Sequence, residues 1–314
     1  MFNASCSRRD LLILGGTGLL RLPGLMWTQS VLADDNDRLA YKRAVLASAP
    51  TAYWRLGESR GPVADDTTGN GNGGRYIGRL TFGQKGAIAV DPDSAIGLDG
   101  PRARSYIEVR NQQAFSVSTS GNGLTVEVWM RPDVLEFKGE GRGSADDFIH
   151  WLGKGEKGRY EWGFRFYGHR AERPNRISAY VWNPDGKLGA GAYVEERLTS
   201  GVWIYLVATF DDPRKPNAQV RLYKDGTPSP HNKSPGTLYR NYHVTPQHGL
   251  APLRLGTRDL RDFLTGGLDE VAIYPRVLDA EEILRHWSVA RIKSAVFETG
   301  GRGPGQVGGR RLRD

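Results

Sequence analysis

His150, Arg165 and Tyr180 are the residue types that a β-elimination beside a uronate carboxylate uses. An arginine neutralises the carboxylate, a histidine abstracts the neighbouring proton and a tyrosine serves as the acid. The same histidine also reads as a buried or edge residue with a structural partner. Glycoside hydrolysis asks instead for two carboxylates across a cleft, roughly 5–10 Å apart. The acidic pairs Glu195-Glu196 and Glu281-Glu282 are adjacent in sequence, so they face apart in a strand or sit on a helix surface. Asp146-Asp147 reads as loop, and no G-x-S-x-G elbow is present.

The segment Asp66 to Gly74 points to different chemistry. It is dense in hard oxygen donors and in glycines that let backbone carbonyls turn inward. Calcium takes six to eight such oxygens in irregular geometry. Asp66, Asn70 and Asn72 are its candidate ligands, and the alternative is a Gly-Asn turn with ordinary hydrogen bonds. The six histidines show no close pair at ligand spacing. Trp151, Arg165, Tyr180 and Trp182 are candidate contacts for a sugar, whose C–H faces stack on rings and whose hydroxyls take hydrogen bonds.

Short strands must position these residues. The pattern predicts strands at Ala52–Leu56, Tyr106–Val109, Leu124–Arg131, Phe148–Leu152, Glu161–Tyr167, Arg176–Trp182, Trp203–Phe210, Gln219–Lys224, Leu253–Gly256 and Asp269–Tyr274. Trp162, Phe164 and Phe166 share one face of their strand, and Glu161, Arg165 and Tyr167 the other. Ser178, Tyr180 and Trp182 share a face. Thr125, Glu127, Trp129 and Arg131 share another. The mixed faces, with Glu127, Arg165, Tyr180 and Trp182, are expected on one ligand-facing surface, with Glu127 and Arg165 as an ion pair across it. Lys224-Asp225-Gly226 predicts a hairpin turn. A helix is expected over Asp37 to Ser48, buried through Leu39, Val45 and Leu46 and stopped by Pro50. A second begins at Asp279 with Glu282 as a capping box, burying Ile283, Leu284 and Trp287.

Composition sets the bounds. The chain has 314 residues, 39% hydrophobic and 25% charged, with net charge +8 and one cysteine. Such a length buries a core without staples, and one cysteine excludes a disulfide framework. Residues 1–33 read as an export signal: Arg8 and Arg9, the apolar run Leu11 to Leu20, and Val31-Leu32-Ala33 before cleavage. The arginine pair resembles a twin-arginine signal, with Leu11 where that pattern often has Phe. Residues 34–50 form a short helical lead-in and 51–290 the main domain. The Gly- and Arg-rich tail 291–314 reads as disordered. No apolar run is long enough to span a membrane after signal cleavage, and no nucleic-acid partner is expected.

Four segments together resemble the bacterial laminin-G-like family, with its concanavalin-A-like jelly roll. They are Ala52-Tyr53-Trp54-Arg55-Leu56-Gly57-Glu58 with Asp66 to Gly74; Leu124 to Pro132; Trp203 to Phe210 leading to Leu222-Tyr223-Lys224-Asp225-Gly226; and Gly266-Gly267-Leu268-Asp269-Glu270-Val271-Ala272-Ile273-Tyr274 with its following helix. The match covers roughly residues 38–290. It implies an all-β fold, a two-sheet antiparallel jelly-roll sandwich with short N-terminal and C-terminal helices. It also implies core packing for Trp54, Trp129 and Trp203. It further implies a structural Ca²⁺ where the first and last segments meet, which adds Asp269 to Asp66, Asn70 and Asn72. The sequence departs from the family in the long stretches 132–147 and 226–249. Phe148-Ile149-His150 resembles the Q-I-H strand of jelly-roll alginate lyases, without its Gln.

The function expected is a secreted, periplasmic or extracellular, non-catalytic module that recognises a polysaccharide or cell-envelope glycan. Net positive charge favours an acidic one. The alternatives are a polysaccharide lyase or glycosidase on the same fold, and an envelope protein-interaction module.

Overall fold

The computed structural model describes residues 38–135, 148–168, 170–171, 173–215, 218–230 and 244–291. The expected export signal, the segment 136–147, residues 231–243 with His231, Tyr239, Tyr242 and His243, and the tail beyond 291 lie outside these. The first strands are β1 (Ala52–Trp54), β2 (Val63–Ala64), β3 (Gly74–Ile77), β4 (Leu80–Lys85), β5 (Ser94–Asp99) and β6 (Tyr106–Val109). Then come β7 (Leu124–Pro132), β8 (Phe148–Glu156), β9 (Arg159–Tyr167), β10 (Ile177–Trp182) and β11 (Gly189–Tyr193). The last are β12 (Ile204–Phe210), β13 (Val220–Lys224), β14 (Thr227–Pro228), β15 (Leu253–Leu255) and β16 (Thr265–Tyr274). Among the described residues three α-helices accompany them: α1 (Ala40–Ala47), α2 (Gly100–Ala103) and α3 (Ala280–Ala290).

The strands form two antiparallel sheets. One runs β14-β13-β12-β7-β16-β5-β4, with β1 also on β16; the other runs β11-β10-β9-β8-β15-β6-β3-β2. This is the expected jelly-roll sandwich. All ten predicted strands are present within a few residues. The hairpin at Asp225 and Gly226 has φ of 52° and 76°, the conformation that Asp-Gly tolerates.

Period-two alternation builds the core. Leu124, Val126, Val128 and Met130 of β7 meet Trp162, Phe164 and Phe166 of β9 and Ile177, Ala179 and Val181 of β10 between the sheets. The opposite face of β7 points away from the second sheet. There Trp129 joins Tyr41 and Val45 of α1 and Ile283 and Ala290 of α3 in a second apolar layer. Both helices therefore cover the outer face of the first sheet. Glu127 lies under them and not beside Arg165, which belongs to the other sheet, so the expected Glu127–Arg165 pair does not form. Two helix faces also differ from expectation. Tyr41 is buried in α1 while Leu39 is exposed, and His286 is buried in α3 while Leu284 is half exposed. In both cases a polar ring is drawn inward by the buried carboxylate of Glu127.

Trp54 packs between the sheets and Trp129 in the helix-covered layer. Trp203 is half buried, with the Arg131 guanidinium 5.1 Å from its ring centre.

Candidate functional site

The outer face of the second sheet carries the mixed residues. Pairing sets His150 opposite Arg165, Arg165 opposite Ser178 and Ser178 opposite Tyr193, so these side chains form a row across four strands. Tyr180 stands between Gly163 and Gly191, and Trp182 pairs with Gly189. The glycines leave room for the rings to lie on the sheet. A Cβ on Gly191 would stand 2.6 Å from Tyr180, and one on Gly189 the same distance from Trp182. The two rings stack, with centroids 5.5 Å apart at 19°.

Two guanidinium groups cover the rings. Arg165 lies 3.8 Å from the Tyr180 centroid and 4.0 Å from that of Phe148, and its Nε donates to Ser178 Oγ. Arg258 lies 4.8 Å from the Trp182 centroid and 4.6 Å from that of Tyr160. Stacking of this kind suits the flat guanidinium and fixes its plane. Tyr180 has no exposure and Trp182 only 8%, so Tyr180 offers a ligand no free ring face. Trp151 falls on the same side as Ile149 and has no exposure at all. It stacks on Phe166 inside the sandwich and is a core residue, not a surface contact. A bulge after His150 turns Leu152 inward as well.

Beside this layer lies an open cavity of about 380 Å³. Phe148, His150, Tyr160, Arg165 and Trp182 form its sheet side. Asp185, Gly186 and Lys187 from the β10–β11 turn and Arg258, Asp259, Arg261 and Asp262 from the loop after β15 form the rest. Four cations thus face three carboxylates. Burial pushes the Asp262 carboxyl up to about 7, helped by Asp259 and opposed by Arg261 and Arg258. Burial likewise holds His150 well below the usual histidine value, reinforced by Arg258, Arg165 and Arg261. Its ring is neutral at pH 7, lies edge-on to Trp182 and has Nδ1 4.0 Å from Asp262 Oδ2.

Of the expected elimination residues, His150 and Arg165 reach the cavity and Tyr180 does not. Tyr160 is the tyrosine that lines it. The charged run Arg258-Asp259-Leu260-Arg261-Asp262 directly after a predicted strand was the available sign of a site. Within it Leu260 has φ 64°, a backbone strain found mostly where function imposes it.

The candidate calcium ligands have other uses. Asp66 Oδ1 accepts from the N–H groups of Tyr53 and Thr68 and from Thr68 Oγ1, and Oδ2 accepts from the Asn72 N–H. Asn70 and Asn72 donate through Nδ2 to the Thr51 carbonyl. Inward-turned N–H groups make this loop a carboxylate-centred turn, and they do not fit a cation at Asp66. Asp269 Oδ2 accepts from the Ala87 N–H, 2.8 Å away, and its Oδ1 is buried without a partner among the described residues. No group of three or more His, Cys, Asp or Glu among the described residues is arranged to hold a metal ion.

Solved structures with this architecture include domain 4 of AbnA, a GH43 extracellular arabinanase from Geobacillus stearothermophilus, in complex with arabinotriose. It is 15% identical with a TM-score of 0.52, over 77% of this chain and 98% of that one. The binding domain of botulinum neurotoxin DC in complex with SialylT is 10% identical with a TM-score of 0.51, over 77% of this chain and 52% of that one. The binding domain of botulinum neurotoxin serotype C1 is 9% identical with a TM-score of 0.52, over 78% and 52%. The chain therefore spans about half the length of the toxin domains. At such identities the likeness is one of fold. No curated protein sequence matches the chain. The family model for the concanavalin A-like lectin/glucanases superfamily, of laminin G type, matches residues 102–284. With the two-sheet architecture described above, this places the chain in the concanavalin A-like lectin/glucanase superfamily.

Proposed function

We propose that this chain is an exported, lectin-like module that binds a polysaccharide or cell-envelope glycan in the cavity beside Trp182, without cleaving it. The observation that carries the reading is the cavity itself, open to solvent and lined by ring edges, guanidinium groups and carboxylates. Sugars present C–H faces to rings and hydroxyls to charged donors and acceptors. Bound arabinotriose in the arabinanase domain and SialylT in the toxin domain are consistent with sugar recognition on this fold. The excess of cations makes an acidic polymer the better match. Export rests on the residues 1–33 and agrees with the lack, among the described residues, of any helix long and apolar enough to cross a membrane.

The test is retardation in native gels cast with a panel of acidic and neutral polysaccharides. Retardation by at least one polymer, lost in Trp182→Ala, is expected. Equal mobility in every gel would sink the reading.

One observation favours β-elimination as a second reading. A neutral His150 shares the cavity with Arg165 and Tyr160, which are a base, a neutraliser and an acid. Absorbance of a new double bond, lost in His150→Ala, would replace binding with catalysis.

A further inference from the structure

We infer that the cavity is an oxyanion subsite, in which the carboxylate of a uronate unit or a sulfate ester of the polymer is held by Arg165, Lys187 and Arg261 in the field of Arg258. The inference rests on the glycan-binding reading and narrows it to a ligand charge and to named residues.

Arg258 is the centre of the argument. Its side chain is only 3% exposed, and a buried cation demands compensation. Among the described residues it has one charged partner, Asp259, reached by Nη2 at 2.9 Å. Its Nε and Nη1 are buried and have no hydrogen-bond partner among the described residues. The rings of Tyr160 and Trp182 cover the guanidinium, and rings compensate a cation more weakly than a carboxylate does. Burial accordingly draws its proton affinity below the usual arginine level, with Asp259 opposing. Asp259 offsets the guanidinium at one edge only, and its other edge adds positive potential to the cavity through low-dielectric surroundings.

The other groups act in the same sense. Arg165 is clamped between Phe148 and Tyr180, so its plane is set before any ligand arrives. Asp185 stands 3.9 Å from Lys187, on an exposed turn, where such a pair is weak and easily replaced. His150 is neutral and adds a polar edge without opposing the anion. Asp262 is half protonated near pH 7 and so opposes an anion less than an ordinary aspartate.

The experiment titrates tryptophan fluorescence of the full chain with four probes. These are polygalacturonate, the same polymer as its methyl ester, dextran sulfate, and dextran. Each acidic probe has a neutral twin of the same backbone. Binding of an acidic form at least tenfold tighter than its twin is expected. Polygalacturonate and dextran sulfate distinguish carboxylate from sulfate. Arg258→Met should reduce the preference tenfold. The surface pair Lys187→Gln with Arg261→Gln, which does not disturb the core, should reduce it at least threefold. If a neutral twin binds as tightly as its acid, the oxyanion inference falls while glycan binding stands. The same holds if the surface pair keeps the full preference. If no probe binds, both fall together.

Discussion

His286 Nδ1 stands 3.0 Å from Glu127 Oε2, and neither side chain has any exposure. The contact joins α3 to the middle of β7. The same carboxylate accepts from Tyr41 of α1 at 2.7 Å, Tyr205 of β12 at 2.8 Å and Tyr274 of β16 at 2.6 Å. One buried charge thus fastens both helices to the first sheet. Burial acts to raise Glu127, but the charge and hydrogen bond of His286, with Tyr274 and Tyr41, outweigh it and hold it below its ordinary value. Burial acts to lower His286, and Glu127 outweighs it in the other direction.

The pH dependence of stability follows. The Glu127 contribution is present above about pH 4.3 and is lost as pH falls through the lowered native value. The His286 contribution is full below about pH 6.5 and is lost as pH rises through the raised native value. Urea unfolding should therefore show greatest support from this pair between those limits. His286→Ala should cost about 3–5 kcal/mol at pH 6, because it leaves a buried carboxylate without its charged partner. The cost should shrink toward pH 9. An equal cost at both pH values would contradict the pairing.

Asp66 holds its loop through four donors, so Asp66→Ala should destabilise the fold by about 2–4 kcal/mol. Because those donors are the Tyr53 N–H of β1 and N–H and O–H groups of the loop itself, the loss should be the same in calcium and in chelator. Thermal melts of both proteins under both conditions decide it. A loss seen only with calcium present would put a cation at the loop.

Gly191→Ala should disturb the floor beneath the cavity. The added Cβ would stand 2.4 Å from the Ala179 carbonyl oxygen, which belongs to a paired strand and cannot withdraw. A cost of about 1–3 kcal/mol is expected, seen as a lower melting temperature. Gly201→Ala, where a Cβ meets nothing within 4 Å but φ is 75°, should cost about 1 kcal/mol. A larger loss at Gly201 than at Gly191 would mean that steric contact is not what shapes this floor.

Binding of an acidic polymer should strengthen as pH falls from 8 to 6. Asp262 takes up its proton near 7 and removes one negative charge from the wall, while His150 stays neutral. One charge at this range is worth about threefold in affinity. Asp262→Asn should bind at pH 8 as the parent does at pH 6, with little change between. A pH dependence retained in Asp262→Asn would assign it elsewhere.

Strands with alternating large apolar residues were legible, and so were the Asp-Gly hairpin and the Asp279–Glu282 capping box, which forms with both reciprocal bonds. Six strands were missed, and four of them, β2, β4, β11 and β14, are ones that alternation cannot mark; β3 and β5 are short and carry Gly74 and Gly97. β11 is Gly189-Ala190-Gly191-Ala192-Tyr193, small residues chosen by the rings that lie over them. β2 and β14 are two residues long, and β4 is exposed on every second position without a strongly apolar face. Face assignment on β9 and β10 held because no bulge interrupts their pairing. It failed to locate Glu127, since two sheets of a sandwich carry identical alternation and sequence does not say which faces share a side. Trp151 was misplaced although Ile149 marked its face as the inner one. Arg258 was missed because its importance lies in two unpaired donors, a property of packing alone.

The central claim is that a glycan binds beside Trp182. Calorimetric titration of the protein and of Trp182→Ala with the most strongly retarded polysaccharide tests it most directly. The account predicts measurable binding by the parent and at least tenfold weaker binding by Trp182→Ala, with both proteins folded by circular dichroism. Equal affinity in the two proteins would contradict it and move the site away from this cavity.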